Sequence, residues 1–134
     1  RKRDYRKKTA RATKMTEREQ AKVLNALYSY KTFKKIARDE AQRARGIYIN
    51  NENGELEYMG GEQITRAVYV SEETRKHFNR IDEIKGKFVE LYFFRRINRV
   101  RISHELSISR STVFEWRRDV IEIAEKIARE IAFI

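Results

Sequence analysis

The chain has 134 residues, a formal net charge of +11, a pI near 10.0 and no cysteine. Without cysteine, disulfides, thiolate metal sites and a cysteine nucleophile are excluded. No apolar run approaches the roughly 18 residues of a membrane span, so we expect no membrane partner. The positive charge favours a polyanionic partner, and the length fits one small domain or a small domain with an arm.

Residues 1–15 are predicted to form a basic flexible arm. Residues 1–14 hold eight lysines and arginines against a single acid, Asp4. Like charges at this density repel one another and cannot bury a face. The arm is interpreted either as a solubilising extension or as a segment that lies on DNA phosphates or in a minor groove.

Residues 16–79 are predicted to form an N-terminal helix followed by a β-hairpin region. Thr16-Glu-Arg-Glu19 has the pattern of a capping box, and apolar residues then recur at helical spacing as far as Ala44. We therefore expect one long amphipathic helix that ends at Gly46. Its aromatic side chains are expected in the core or at a subunit contact: Tyr28, Tyr30 and Phe33.

In the middle of the chain, the spacing of apolar residues changes from a helical repeat to the alternation typical of strands. Residues 47–49 and 55–59 alternate around Asn53-Gly54, a dipeptide that hairpin turns favour. This pattern predicts a short β-hairpin, and residues 64–70 are a candidate third strand. Helical signals return at Ser71, which we expect to cap a helix running to about Asn79.

Residues 80–134 are predicted to form a helix-turn-helix region whose final helix oligomerises. A supporting helix is expected from about Ile81 to Arg96. Gly86 inside it costs about 1 kcal/mol relative to alanine, which indicates a close packing contact or a helix boundary. From the end of this helix onward, the segment Phe94 to Arg101 contains four arginines and no acid. Such a cluster suits a helix that crosses a phosphate backbone.

The segment from Ile102 to Arg118 has the residue pattern of a helix-turn-helix. Ser103 is the small residue that lets two helices approach, and Ser107 occupies the turn, although glycine or asparagine adopts a positive φ more easily. Ser109 is expected to cap the second helix through the amide of Ser111 or Thr112. The alternative is an ordinary amphipathic helical pair. The apolar contacts between the two helices are expected from Ile102, Leu106, Ile108 and Val113.

The final helix carries an apolar stripe that predicts a dimer or higher homo-oligomer. Its members alternate at spacings of three and four from Val113 to Ile127, and Ile131 and Ile134 prolong the stripe, which keeps one seam along the helix. The alternative is that this stripe folds back onto the helix that starts near Thr16. The predicted oligomer seam consists of Val120, Ile123, Ile127 and Ile131.

The run from Ile84 through Arg118 combines an aromatic helix, an arginine-rich stretch and the sequence Ser-Ile-Ser-Arg-Ser-Thr-Val. It resembles the region-4-like helix-turn-helix of sigma factors, which small phage late-gene transcription activators of the ArpU/RinA group carry near their C-termini. The resemblance implies a sequence-specific regulator of phage or prophage late genes. Such a protein binds double-stranded DNA and recruits host RNA polymerase in the bacterial cytoplasm.

The resemblance also implies the roles of the exposed residues. Base edges would be read by Arg110, Ser111, Thr112 and Glu115. Glu115 would accept a hydrogen bond from a cytosine amino group or pair with an arginine. Phosphates would be held by Arg95, Arg96, Arg99, Arg101, Arg117 and Arg118.

Two other functions stay open: a small terminase subunit that recognises a viral packaging site, and a nucleoid-type protein that coats DNA without sequence preference. Catalysis has little support, because His77 and His104 are the only histidines and neither has a partner at metal-ligand spacing. We expect no enzyme, cofactor or metal site. The operator, the sign of regulation and whether the natural chain extends upstream of Arg1 also stay open.

Overall fold

The computed structural model describes residues 15–50 and 53–134. It confirms a mainly α-helical fold with a small β-hairpin and a long final helix. The predicted arm lies outside the described residues, apart from Met15. The elements are α1 (Glu17–Tyr28), α2 (Tyr30–Arg38), α3 (Glu40–Arg45), β1 (Ile47–Asn50), β2 (Leu56–Met59), α4 (Gly61–Ile81), α5 (Glu83–Phe88), a π-helical segment (Val89–Phe94), α6 (Arg99–Leu106) and α7 (Arg110–Glu130).

The capping box that opens α1 is confirmed. The Thr16 hydroxyl accepts a hydrogen bond from the Glu19 amide, and the Glu19 carboxylate accepts one from the Thr16 amide, both at 3.1 Å. The bond from the Thr16 backbone lowers the pKa of Glu19 below the usual glutamate range. The first turn of α1 is therefore fixed by local chemistry.

The single long helix predicted for the N-terminal region is wrong, because it breaks at Ser29 and Asp39. Ser29 leaves helical geometry at ψ 14°, and Asp39 is extended at ψ 107°, where its carboxylate accepts the Gln42 amide and caps α3. Asp39 thus starts α3 through a side-chain cap, whereas the Ser29 hydroxyl caps no amide and donates to the Asn25 side-chain oxygen at 3.1 Å. The predicted end at Gly46 is confirmed, with φ at +72°.

The β-hairpin is confirmed as an antiparallel pair in which Ile47 faces Met59 and Asn50 faces Leu56. The third strand is wrong, because residues 64–70 lie within α4. The buried positions there are Ile64, Ala67 and Val70, a spacing of three that suits a helix.

Ser71 is not a helix cap, contrary to the prediction, but a buried residue in the middle of α4. Its hydroxyl donates a hydrogen bond of 3.0 Å to the Ala26 carbonyl of α1. The bond satisfies a polar group inside the core and ties α4 to α1. The end predicted near Asn79 falls instead at Ile81, where Asp82 caps α5 through the Ile84 amide.

A single hydrophobic core runs through both regions proposed from the sequence, 16–79 and 80–134. Tyr30 and Phe33 are buried in it as predicted, and Tyr28 is half-buried with its ring 5.4 Å from that of Phe93. Gly86 marks the predicted close contact, since a Cβ there would overlap the Asn79 side-chain oxygen. Among the described residues, none of the helices combines the length and apolar character needed to cross a bilayer.

The apolar stripe of α7 packs within the chain, which is the alternative to the predicted oligomer seam. Val120 is 1% exposed, so the seam prediction is wrong for this residue. The other three residues are half-buried against the same core: Ile123, Ile127 and Ile131. Because α7 lies against α4 and α1, this stripe supplies intramolecular stability.

Candidate nucleic-acid interface

Helices α6 and α7 form a helix-turn-helix held by two fully buried side chains, Ile102 and Val113. Ser109 caps α7 as predicted, since its hydroxyl accepts the Thr112 amide at 3.1 Å. The Ser103 hydroxyl donates a hydrogen bond to the Ile108 carbonyl and so braces the turn from the first helix. The turn and the start of α7 are therefore fixed relative to α6.

The turn itself places Ser107 in the left-handed region, with φ at +53° and ψ at 47°. The Ile108 amide donates to the Ser103 carbonyl at 3.1 Å, and the Ser107 amide donates to the His104 carbonyl at 3.4 Å. This is the Schellman arrangement that commonly ends a helix and that favours glycine at the left-handed position. The turn is therefore of the ordinary type, with serine where glycine would be less strained.

The start of α7 presents an exposed surface, here called the α7 outer face. Helical periodicity places Ser111, Glu115 and Arg118 opposite the buried Val113 and Val120. Arg110, at the first turn, is also exposed. The α7 outer face consists of Arg110, Ser111, Phe114, Glu115 and Arg118.

Thr112 has a different environment from the other predicted base-reading residues. It is half-buried, and its hydroxyl oxygen lies 2.9 Å from that of Ser109. Both its amide and its hydroxyl thus belong to the helix cap. We therefore leave Thr112 out of the α7 outer face.

Phe114 is a member of this face that the sequence prediction missed. Its side chain is 53% exposed, although phenylalanine is usually buried. The guanidinium of Arg99 lies 4.8 Å from the centre of its ring. A helical projection would have found it, since Phe114 lies one position beyond the buried Val113 and off the apolar stripe.

Four exposed arginines precede and open α6, and they are here called the flanking arginines. Arg95 and Arg96 follow the π-helical segment, and Arg99 and Arg101 lie in the first turn of α6. Arg96 has a positive φ of 55°, and its guanidinium lies 5.0 Å from the centre of the Tyr28 ring. Arg101 forms an ion pair of 3.0 Å with Glu105. These four cations thus differ in how firmly the protein holds them.

The predicted arginines on α7 also differ from one another. Arg117 is half-buried and interacts with the Tyr28 hydroxyl; burial raises the pKa of Tyr28, as does Tyr92, while Arg117 opposes the shift. Arg110 and Arg118, like Arg95, are exposed and form no ion pair within residues 15–50 and 53–134. These three side chains can therefore turn toward a ligand without breaking an internal ion pair.

The α7 outer face and the flanking arginines lie on consecutive elements of one helix-turn-helix and carry an excess of cations. No family model, curated protein or solved structure matches this chain. What this surface can bind therefore follows from its own geometry and charge. A helix that presents polar side chains, beside guanidinium groups that form no ion pair in the described part of the chain, suits a polyanion with a groove that can admit it.

Proposed function

We propose that the protein is a sequence-specific regulator of transcription that binds double-stranded DNA. The observation that carries the proposal is the exposed start of α7, where Arg110 and Arg118 lie beside the flanking arginines and form no ion pair with any described residue. The major groove of B-DNA admits an α-helix and displays a distinct pattern of donors and acceptors for each base pair. The flanking arginines would hold the backbone while α7 reads the bases.

Each side chain of the α7 outer face suits a different chemical group of the DNA. Arg110 can donate two hydrogen bonds to guanine, and Ser111 can donate or accept. Glu115 suits a cytosine amino group, and Phe114 suits a thymine methyl group. Arg118 lies further along the same side of the helix, where a phosphate contact would fix the register of α7 in the groove.

The proposed biological role is activation of phage or prophage late genes through host RNA polymerase. This role rests on the resemblance of Ile84 to Arg118 to the sigma region-4-like module. The alternative, a small terminase subunit, requires a ring of subunits. Since the α7 stripe packs within the chain, it does not supply the interface for such a ring.

The proposal is tested by selecting bound fragments from a library of phage and host genomic DNA at roughly physiological salt. We expect a single peak upstream of a late operon and increased transcription from it when the protein is present. A peak at a packaging site would favour the terminase instead. A flat profile would contradict sequence-specific binding and leave a basic DNA coat.

Two matched variants separate base reading from phosphate binding. Arg95→Ala should weaken binding evenly across sequences and reduce the salt slope of log K by about 1. Arg110→Ala should lose discrimination at one or two base pairs of the selected site. Equal effects of the two variants on every sequence would contradict the assignment of Arg110 to a base edge.

A further inference from the structure

A second concave site lies away from the helix-turn-helix, between α1, the β-hairpin and the end of the described chain. It is a cleft of about 340 Å³, at the lower end of the range for small-molecule sites. Its apolar walls come from Leu24, Ile49, Met59 and Phe133, and Tyr28 also lines it. The cleft is large enough for a small organic molecule and has the mixed lining that such sites show.

The ammonium group of Lys22 is one of several polar groups that line the cleft. Its Nζ donates to the Phe133 carbonyl at 2.7 Å and to the Gln63 side-chain oxygen at 3.3 Å, and it lies 4.5 Å from the centre of the Phe133 ring. These contacts hold the group at the cleft wall. Both of its acceptors are neutral oxygens.

Among the described residues, the charges around the cleft leave Lys22 without an ion-pair partner. Glu57 is the one carboxylate among the lining residues, and its Oε1 lies 3.6 Å from the guanidinium of Arg18. Within the described residues, no carboxylate forms an ion pair with Lys22. Burial lowers the pKa of Lys22, and the attraction of Glu57 only partly opposes this shift, so the lost hydration of the ammonium is not fully replaced.

We propose that this cleft is a binding site for a small, largely apolar carboxylate. The carboxylate would accept a hydrogen bond from the Lys22 ammonium, and the apolar part would pack on Leu24, Ile49 and Met59. The cleft is lined by residues of α1, the hairpin and α4 and by Phe133, and its lining shares no residue with the α7 outer face or the flanking arginines.

The proposal is tested with octanoate as the probe, 1-octanol as the uncharged match and octylammonium as the charge-reversed match. Binding is followed by methyl NMR shifts in the complete chain. We expect octanoate to shift the Leu24, Ile49 and Met59 methyl signals saturably, with affinity about tenfold above that of octanol, as hydrogen bonds to charged groups provide. Octylammonium and acetate should leave these signals unchanged.

Two variants and a control test whether octanoate and octanol bind in the cleft. Lys22→Met should bring octanoate to the affinity of octanol, and Ala21→Leu, which narrows the cleft, should weaken both ligands alike. Lys35→Met removes an exposed charge elsewhere and should change neither. The proposal would be overturned if octanoate binding does not saturate, if it is scattered over the surface, or if it is equally strong in Lys22→Met.

Discussion

Helices α4 and α7 are both 21 residues long and bury similar apolar faces, but the first turns of α7 lack the ion pairs that α4 carries and that α7 itself carries near its end, between Arg129 and Glu125 at 2.9 Å. On α4, Arg66 pairs with Glu62 at 2.6 Å and Lys76 with Glu73 at 3.4 Å. On residues 110–118 of α7, three arginines accompany one acid, and none of these arginines forms an ion pair within the described chain.

Burial alone does not distinguish a helix that only supports the core from a helix that also binds a ligand. Both have a face in the same core, so the difference lies on the side away from it. Paired charges on α4 suit a solvated surface and contribute little free energy. Arg110 and Arg118 of α7 form no ion pair within the described residues, so both can contact phosphates or bases without breaking one.

The largest effect is expected from the buried side of α4. Ile64 is fully buried, so Ile64→Ala should lower the free energy of unfolding by about 2–5 kcal/mol through a lost contact and a cavity. Ile81, at the end of the same helix, is 63% exposed, and Ile81→Ala should cost no more than about 0.5 kcal/mol. Urea unfolding measures both, and equal losses would contradict the placement of Ile64 in the core.

The next effect concerns binding rather than stability. Arg110→Ala should cost about 1–3 kcal/mol of DNA binding at the selected site and leave the unfolding midpoint unchanged. Arg80→Ala, which removes an exposed arginine from α4, is the matched control and should retain full affinity. Titrations of labelled DNA measure the affinities. If Arg80→Ala weakens binding as much as Arg110→Ala, the difference between the two helices has no functional meaning.

A smaller gain in stability is expected at the turn before α7. Because Ser107 has a positive φ, Ser107→Gly should raise the free energy of unfolding by about 0.5–1 kcal/mol. Ser107→Ala retains the steric strain and should give no such gain. Thermal unfolding of the two variants checks this, and a destabilised glycine variant would count against the left-handed turn.

The smallest effect is expected at the first turn of α1, whose cap contains a carboxylate, unlike the Ser109 cap of α7. The pKa of Glu19 is lowered in the folded protein, so the carboxylate stabilises the fold above its unfolded pKa. That contribution disappears as the pH falls through the folded pKa. The stability difference between the native chain and Glu19→Gln should therefore shrink toward acid pH. A difference that stays constant in urea titrations across this range would contradict the capping interaction.

Features set by local chemistry could be predicted from the sequence. Thr16 and Ser109 satisfy amides three residues away, and Asn53-Gly54 suits a tight turn, so the capped helices and the hairpin were foreseeable. The α7 outer face followed from the same periodicity, apart from Phe114.

Features set by contacts between distant residues could not be predicted in this way. Ser71 looks like a cap in the sequence, but its partner is the Ala26 carbonyl of another helix. The stripe through Val120 has the spacing of an oligomer seam, and the same spacing serves equally well against α4 and α1. Periodicity identifies an apolar face without identifying what covers it.

The most direct test of the central claim uses the absence of cysteine in the chain. Ser111→Cys introduces a single thiol on the α7 outer face, to which an iron chelate that cleaves nearby DNA can be attached. Thr65→Cys, exposed on α4, is the matched control. We predict cleavage from position 111 confined to a few base pairs in the selected site, and none from position 65. The placement of α7 in the groove would be contradicted if cleavage from position 111 is absent or not localised, or if both positions give the same pattern.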